Sequence, residues 1–276
     1  MFLCDMHTHS KFSFDGDPCL SPDAFCRAAI QKGITDIALT DHFEANYETT
    51  LDELPRTVIY DHEAACAEIL EAKEKYKDKL NLIFGIEIGQ ANQATDKARE
   101  LLAAHDYEFV IGSIHNLRGM RDFYYMNFDD VSDAQISQWI NGYFDELCEV
   151  VDVQPKIDTV AHITYIIRYL AFAGRSYDLT PHYENIAKLY NKIIARDIAL
   201  EVNTSTIWKG LGFSLPDEKL LGLYRECGGR LITVGSDSHT AKNLADCVPQ
   251  AFSMLKSCGF DSVLTVRNGQ KELVKI

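Results

Sequence analysis

Two histidines stand one residue apart near the beginning of the chain, in the stretch FLCDMHTHSKFSFDG. Alternate side chains of an extended strand share a face, so His7 and His9 can point in the same direction and bind one metal ion. A lone pair of this kind is equally compatible with two solvated side chains at the end of a strand. The other potential ligands in the sequence decide between the two interpretations.

Histidines and acids recur at one type of position, at or just beyond the ends of short apolar runs. Six of the nine histidines stand there. Asp237 and His239 repeat the spacing of the first pair, and Asp15 lies in the loop beyond the first run. The candidate metal ligands are His7, His9, Asp15, His42, Glu87, His115, His162, Asp237 and His239.

Metal-dependent hydrolysis is the chemistry that these residue types favour. Imidazoles and carboxylates collected in one place without cations would be poorly solvated and mutually repulsive. The ligands are too many for one ion and suit two or three divalent ions, with zinc, manganese and iron all compatible, and Glu87 can bridge two of them. A metal-bridging hydroxide would attack a phosphoryl group whose oxygens the ions hold. Phosphoester hydrolysis is therefore the predicted reaction, and amide hydrolysis is its competitor.

Strands and helices that would position these ligands alternate along the whole chain. The predicted strands are 2–7, 34–40, 81–88, 107–114, 157–161, 198–203 and 230–236, and the predicted helices are 21–32, 61–78, 94–104, 132–153, 181–196, 216–227 and 241–258. The region 43–60 is predicted to be a loop over one end. His62, His105 and His182 fall in or at the start of helices and are predicted to be surface residues.

Seven strand–helix alternations without a linker predict parallel strands in a single domain, residues 1–276. A closed barrel and an open doubly wound sheet both have this pattern. The first strand runs into His-Thr-His and not into a glycine-rich phosphate loop, which favours the barrel. In a barrel the C-terminal ends of the strands meet on one face, where the candidate ligands would converge.

Composition excludes several classes of partner. The net charge is −14, from 41 acidic and 27 basic side chains, and no block of lysine or arginine appears, so nucleic acid is not an expected partner. Eight cysteines without a CxxC motif predict reduced thiols. The absence of a leader pattern and of a long apolar run predicts a soluble, cytoplasmic protein without a membrane partner. The oligomeric state stays open.

The ordered set of fragments HTHSKFSFDG, TDH, GIE, GSIHN, AHIT and GSDSH resembles the PHP (polymerase and histidinol phosphatase) family over essentially the whole chain. The resemblance implies a distorted (β/α)7 barrel, TIM-like, with a trinuclear centre in which Glu87 and Asp237 are catalytic. The implied ligand groups, ion by ion, are His7, His9, Glu87 and Asp237; Glu87, His115 and His162; and Asp15, His42 and His239.

The acid at position 15 and the segments LEVNTS and YFDELCEVV are similar to the histidinol-phosphatase branch, which implies L-histidinol phosphate as the substrate. That branch usually carries a phosphate-binding arginine after NTS, where this chain has Trp208 and then Lys209. Lys209 can replace a guanidinium only as a point charge. Arg168 is the second predicted phosphate contact, and an ordinary cation on a helix surface is its alternative interpretation.

Other functions stay open at this point. Trp208 can stack on a ring, so another small phosphate ester, a nucleotide or a phosphotyrosine is the alternative substrate. An amidohydrolase-like deaminase or lactonase is disfavoured because no lysine stands at a strand end. A non-catalytic barrel of the same type predicts eroded ligands, and none of the expected ligands is missing.

Overall fold

The computed structural model describes residues 2–49 and 60–276. Its strands are β1 (Cys4–Asp5), β2 (Asp36–Leu39), β3 (His42–Glu44), β4 (Asn81–Gly89), β5 (Phe109–Ser113), β6 (Thr159–Val160), β7 (Ala199–Asn203), β8 (Ile232–Gly235), β9 (Ser262–Arg267) and β10 (Gln270–Lys275). Its helices are α1 (Pro22–Gln31), α2 (His62–Tyr76), α3 (Thr95–Ala104), α4 (Asp133–Val153), α5 (Tyr165–Phe172), α6 (Tyr183–Ala195), α7 (Ser205–Trp208), α8 (Glu218–Glu226) and α9 (Val248–Ser257). The predicted loop 43–60 begins within β3, and its residues 50–59 lie outside the described residues.

Parallel strands form the central barrel in the order β1-β2-β4-β5-β6-β7-β8, and β3 also pairs with β4. Backbone hydrogen bonds between the first and last of these strands bring the sheet close to a full circle. The amide of Met6 donates to the carbonyl of Val234, and the amide of Asp237 donates to the carbonyl of His7. The predicted distorted (β/α)7 barrel is confirmed.

β4 shows why the strands are buried on both faces. Its sequence is NLIFGIEIG, and every residue from Leu82 to Gly89 is buried. One face points into the barrel and the other packs under helices, as expected for apolar strands of parallel sheets. Glu87 is the one charged residue in this run. A carboxylate in such a strand is costly unless it has a partner, so its position already indicates a functional role.

Amphipathic helices cover the outside of the barrel. α1 begins at Pro22 after Ser21, whose hydroxyl accepts a hydrogen bond from the amide of Ala24. This residue order caps free amides at the helix start and places proline where no amide hydrogen is needed. None of the helices in the described ranges is long and apolar enough to cross a membrane.

Two features near the C-terminus differ from the sequence predictions. The predicted helix 241–258 is wrong in its first part, because α9 begins only at Val248 and a 3₁₀ turn covers Ala241–Asn243. Pro249 explains the late start, since proline suits the first turn of a helix but not its interior. The hairpin β9–β10 was not predicted, although Asn268 and Gly269 both adopt the positive φ of a two-residue hairpin turn.

The prediction that His182 is a surface residue is also wrong. Its side chain is buried, with Nδ1 2.8 Å from Oδ1 of Asn141 and Nε2 3.2 Å from the hydroxyl of Tyr177. His62 and His105 are half-buried, and their rings stack on each other. His182 therefore links α4 to the start of α6 and has a packing role.

An ion pair between a buried acid and a partly exposed arginine ties the C-terminal hairpin to the barrel. Arg267 in β9 donates from Nε to Oδ1 of Asp36 at 2.8 Å and from a terminal nitrogen to Oδ2 at 2.9 Å. Asn81 donates to the same carboxylate. Burial alone would raise the pKa of Asp36, but the hydrogen bonds from Arg267 and Asn81 outweigh it and lower the pKa.

We predict that Arg267→Gln lowers the free energy of unfolding by about 2 kcal/mol at pH 7, because it leaves a buried carboxylate without its charged partner. The pKa of Asp36 is lowered in the folded state, so this stabilisation is present above the carboxyl's unfolded pKa and is lost as pH falls through the folded pKa. Urea unfolding at pH 7 and pH 3 measures both effects. Lys275→Gln, on exposed β10, is the control, and an unchanged stability of Arg267→Gln at pH 7 would contradict the prediction.

Candidate metal centre

The nine predicted ligands lie on one face of the barrel, around the C-terminal ends of its strands. They are His7, His9 and Asp15 after β1, His42 in β3, Glu87 in β4, His115 after β5, His162 after β6, and Asp237 and His239 after β8. Neighbouring imidazole centroids are between 4.1 and 5.7 Å apart. The structure therefore brings together side chains from six strands in one concave site, which we call the cup.

Glu87 occupies the centre of the cup and is completely buried. Its Oε2 lies 3.3 Å from Nε2 of His7 and 2.8 Å from Nδ1 of His42. Its Oε1 lies 3.3 Å from Nε2 of His115 and 3.0 Å from Nε2 of His162. Burial alone would raise the pKa of Glu87, but the imidazoles of His7 and His42 outweigh it and hold the pKa well below its usual range. The two oxygens thus face two different pairs of imidazoles.

Asp237 and Asp15 complete the other side of the cup. Oδ1 of Asp237 lies 3.5 Å from Nε2 of His9. Asp15 lies in the loop after β1, with Oδ2 3.0 Å from Nε2 of His239 and Oδ1 3.8 Å from Nε2 of His42. Burial opposes a charge on His42, but the carboxylates of Glu87 and Asp15 raise the pKa of that imidazole to about 9. His42 therefore lies close to two carboxylates, and both favour the charged form of its imidazole.

Unsatisfied polar atoms show that divalent cations fit this cup. Among the described residues, several buried atoms of the cup make no hydrogen bond of good geometry, although a carboxylate or an imidazole lies close to them: Nε2 of His7, His9 and His239, Nδ1 of His42, and Oε2 of Glu87. Buried polar atoms are rarely left without a partner. With metal–ligand bonds of about 2.0–2.2 Å, two ligands of one ion lie about 3 to 3.5 Å apart. The separations around Glu87 are close to that range.

Acids and hydroxyls outside the cup hold the imidazoles in position, and sequence analysis missed them. Nδ1 of His7 donates to Glu201 at 2.6 Å, and Nδ1 of His115 donates to Glu44 at 2.9 Å. Nδ1 of His9 is 3.1 Å from Oγ of Ser13. Each of these contacts fixes the ring and leaves Nε2 directed into the cup, as is typical of metal-binding histidines. The signal for Glu201 was a charged residue within the otherwise apolar run IALEVN.

The backbone at the cup is unusually close-packed and strained. A Cβ atom on Gly235 would lie 2.3 Å from Cβ of His7 and 2.7 Å from Oε1 of Glu201, so this position requires glycine. His162 and Asp237 have φ values of 28° and 54°. Positive φ is costly for residues other than glycine and persists where surrounding contacts enforce it, most often at functional sites.

The three predicted substrate contacts lie at the mouth of the cup, around a cavity of about 530 Å³. Arg168 is only 5% exposed and donates to Oγ of Ser205 at 2.6 Å and to Oδ2 of Asp237 at 2.9 Å. The interpretation of Arg168 as an ordinary surface cation is therefore wrong. Nε1 of Trp208 donates to the carbonyl of Ser236, which fixes the indole in the wall.

Lys209 brings a second positive charge to the same mouth. Its Nζ lies 4.9 Å from the centre of the Trp208 ring. Desolvation and the neighbouring guanidinium of Arg168 lower the pKa of Lys209 to about 8. Arg168 and Lys209 thus present two cations beside a cluster of metal-ligating side chains, an arrangement suited to an anionic substrate.

Known proteins resemble this chain over nearly its whole length. A Clostridium acetobutylicum protein named probable histidinol-phosphatase is 26% identical, covering 94% of this chain and 95% of its own. The histidinol-phosphatase of Lactococcus lactis is 23% identical, covering 95% of this chain and 93% of its own. A crystal structure of the Lactococcus lactis histidinol phosphate phosphatase, complexed with zinc, L-histidinol and phosphate, superposes with a TM-score of 0.80 at 21% identity and covers 98% of both chains.

The family model named PHP domain matches residues 5–205. This range contains seven of the nine residues of the cup, from His7 to His162, and the remaining two, Asp237 and His239, follow β8. The solved structure independently supports the same fold through the whole chain. The chain therefore belongs to the PHP domain family.

Proposed function

We propose that this protein is a metal-dependent phosphomonoesterase that hydrolyses L-histidinol phosphate to L-histidinol and phosphate. The observation that carries the proposal is the buried carboxylate of Glu87, whose two oxygens lie within 3.3 Å of ring nitrogens from four imidazoles. The relatives named histidinol-phosphatase match along more than nine-tenths of the chain and support the choice of substrate.

The cup has the donor set for two or three divalent ions of zinc, manganese or iron. Four groups of three ligand atoms, each group within 4.8 Å, overlap in the described residues: His7, His9 and Asp237; His7, Glu87 and His162; His42, Glu87 and His115; and His9, His42 and His239. Glu87 belongs to two of these groups, one with His7 and His162 and one with His42 and His115, so it would be the residue that joins neighbouring ions. Histidine and carboxylate donors suit these metals.

Divalent cations bound in the cup supply Lewis acidity, which activates water and neutralises charge on the phosphoryl oxygens. Glu87 and Asp237 hold the metal-binding positions and are the residues on which turnover depends most. Arg168 lines the cavity and donates to Ser205 and Asp237 through one terminal nitrogen, so other parts of its guanidinium can bind a phosphoryl oxygen. Lys209 adds a second positive charge at the mouth. Both cations hold the phosphate dianion in place for attack.

We predict that Glu87→Gln lowers the rate of phosphate release from L-histidinol phosphate by about 10³-fold or more, because a neutral amide cannot join two cations. The bound metal, measured by elemental analysis, falls in parallel. A panel of sugar phosphates and nucleotides, assayed with the unmodified enzyme, tests the substrate, and L-histidinol phosphate should give the highest kcat/KM. Glu226→Gln, on the exposed end of α8, is the control. Full activity and full metal content in Glu87→Gln would overturn the proposed centre.

We predict that Glu201→Gln weakens metal binding by about 10- to 100-fold, because the amide no longer supports the imidazole of His7 as a charged acceptor. Competition between the protein and a zinc-binding dye measures this affinity directly, without reference to turnover. Glu100→Gln, on the exposed surface of α3, is expected to bind metal like the unmodified protein. An unchanged affinity in Glu201→Gln would show that the Glu201–His7 contact is a packing interaction alone.

We predict that Lys209→Met raises KM for L-histidinol phosphate about tenfold and changes kcat by less than about threefold, because a charge-assisted contact to the phosphate is lost in both the ground state and the transition state. Steady-state kinetics with phosphate detection separates the two constants. Lys188→Met, on the surface of α6, controls for the loss of one positive charge from an acidic protein. An unchanged KM in Lys209→Met would remove this residue from the site.

A further inference from the structure

A second cavity of about 610 Å³ adjoins the cup. The two cavities share Tyr124, Arg168, Tyr169 and Lys209 in their linings. Beyond these shared residues, the second cavity is lined by Met126, Asn127, Phe128, Asp129, Phe172 and Ala173. We call it the aromatic groove, after Tyr124, Phe128, Tyr169 and Phe172. Ligand pockets commonly measure about 300–1,000 Å³, so the groove alone is large enough for part of a substrate.

One face of α5 leads from the cup to this groove. Tyr165, Arg168, Tyr169 and Phe172 have the spacing i, i+3, i+4, i+7 of a single helix face. The ring of Tyr165 lies 5.1 Å from the rings of both His115 and His162. With a rise of 1.5 Å per residue, Phe172 stands about 10 Å farther along the helix. A ligand with its phosphate in the cup therefore reaches the groove if its chain is about that long.

The aromatic rings of the groove form a connected wall. The centroid of Tyr169 is 6.3 Å from those of Tyr124 and Phe128 and 6.4 Å from that of Phe172. Tyr124 is 66% exposed and Phe172 is 52% exposed. Large apolar side chains left in water next to one another commonly mark a binding surface.

Most of the large hydrophobic side chains that are exposed in the described residues lie at the two cavities. Of the large hydrophobic side chains that are exposed in the described residues, Phe14, Tyr124 and Tyr125 line the cup cavity, and Tyr124 and Phe172 line the groove. The two remaining ones, Leu70 and Leu273, line neither cavity. The exposed aromatic side chains therefore lie where they would cover the part of a bound ligand that extends out of the cup.

We propose that this enzyme also hydrolyses phosphate monoesters of primary alcohols whose chain ends in an uncharged aromatic ring, with the phosphate in the cup and the ring in the aromatic groove. This inference rests on the proposed phosphomonoesterase function. In the reaction a water oxygen forms a new bond to phosphorus, the bond between phosphorus and the ester oxygen breaks, and the alcohol leaves with a proton that came from water. The products are the free alcohol and inorganic phosphate.

The boundary between the cavities and the walls beyond it suit this kind of leaving group. Arg168 and Lys209 line both cavities, so a phosphate dianion is attracted to the boundary. Past this boundary the walls are mainly aromatic and aliphatic, which favours burial of an apolar ring. A ring with several hydroxyl groups would lose hydrogen bonds to water there and gain few in return.

The test compares 4-phenylbutyl phosphate with 4-hydroxybutyl phosphate. Both esters release a primary alcohol, so the chemistry of the leaving oxygen is matched, and only the end of the chain differs. We expect kcat/KM to be at least tenfold higher for the phenyl ester with the unmodified, metal-loaded enzyme. Phe172→Ala should reduce this ratio at least fivefold, through KM. Leu70→Ala, which removes an equally exposed side chain on α2, should leave the ratio unchanged.

Equal kcat/KM values for the two esters, or an unchanged ratio in Phe172→Ala, would overturn the inference. Binding of 4-phenylbutylphosphonate and 4-hydroxybutylphosphonate, which cannot be hydrolysed, separates this result from a failure of the proposed function. If no ester is turned over, including L-histidinol phosphate, the phosphatase proposal fails. Calorimetry then still tests the groove. The inference requires 4-phenylbutylphosphonate to bind at least tenfold more tightly than 4-hydroxybutylphosphonate, and Phe172→Ala to remove that preference.

Discussion

The burial of the Glu87 carboxylate constrains the rest of the structure. A lone carboxylate in a fully buried strand would take up a proton or destabilise the fold, since neither water nor a lysine reaches it. Here the carboxylate is surrounded by imidazoles within 3.3 Å. Those imidazoles cannot all satisfy both of their nitrogens with the protein. The arrangement is therefore balanced only when positive charge lies beside the carboxylates, which protonated imidazoles or bound divalent cations would supply.

The barrel meets this constraint with two kinds of side chain, which lie on different strands. Strand ends deliver the ring nitrogens to the cup, and neighbouring strands deliver the groups that hold the rings. Glu201 in β7 accepts from Nδ1 of His7 and also from the backbone amide of His162, so one carboxylate orients ligands from two other strands. Glu44 does the same for His115 from β3. The parallel register contributes to this arrangement, since His42 in β3 pairs directly with Glu87 in β4.

Much of this organisation could be predicted from the sequence, and the reasons for the gaps are physical. Ligands at strand ends follow from the alternation of elements, because the barrel carries all strand ends to one face. Glu201 stood out as a charge within a predicted strand, but the histidine that it contacts lies 194 positions away, and Glu44 fell in a region predicted to be a loop. The buried partner of Arg168 was equally hidden, because Asp237 is 69 positions away. Pro249 and the Asn268–Gly269 pair, by contrast, were local signals available for the helix start and the hairpin.

The cup and the aromatic groove lie on different elements, and Arg168 connects them. The candidate metal ligands stand at or close to the ends of barrel strands, which are held by sheet hydrogen bonds. The aromatic groove belongs mainly to α5 and to the segment after β5, where Tyr124 and Phe172 are exposed. Arg168 donates to Asp237 in the cup while it lines the groove. A change on the outer part of α5 is therefore expected to alter the groove and leave the buried charge balance around Glu87 intact, whereas a change at Arg168 is expected to affect both the groove and the cup.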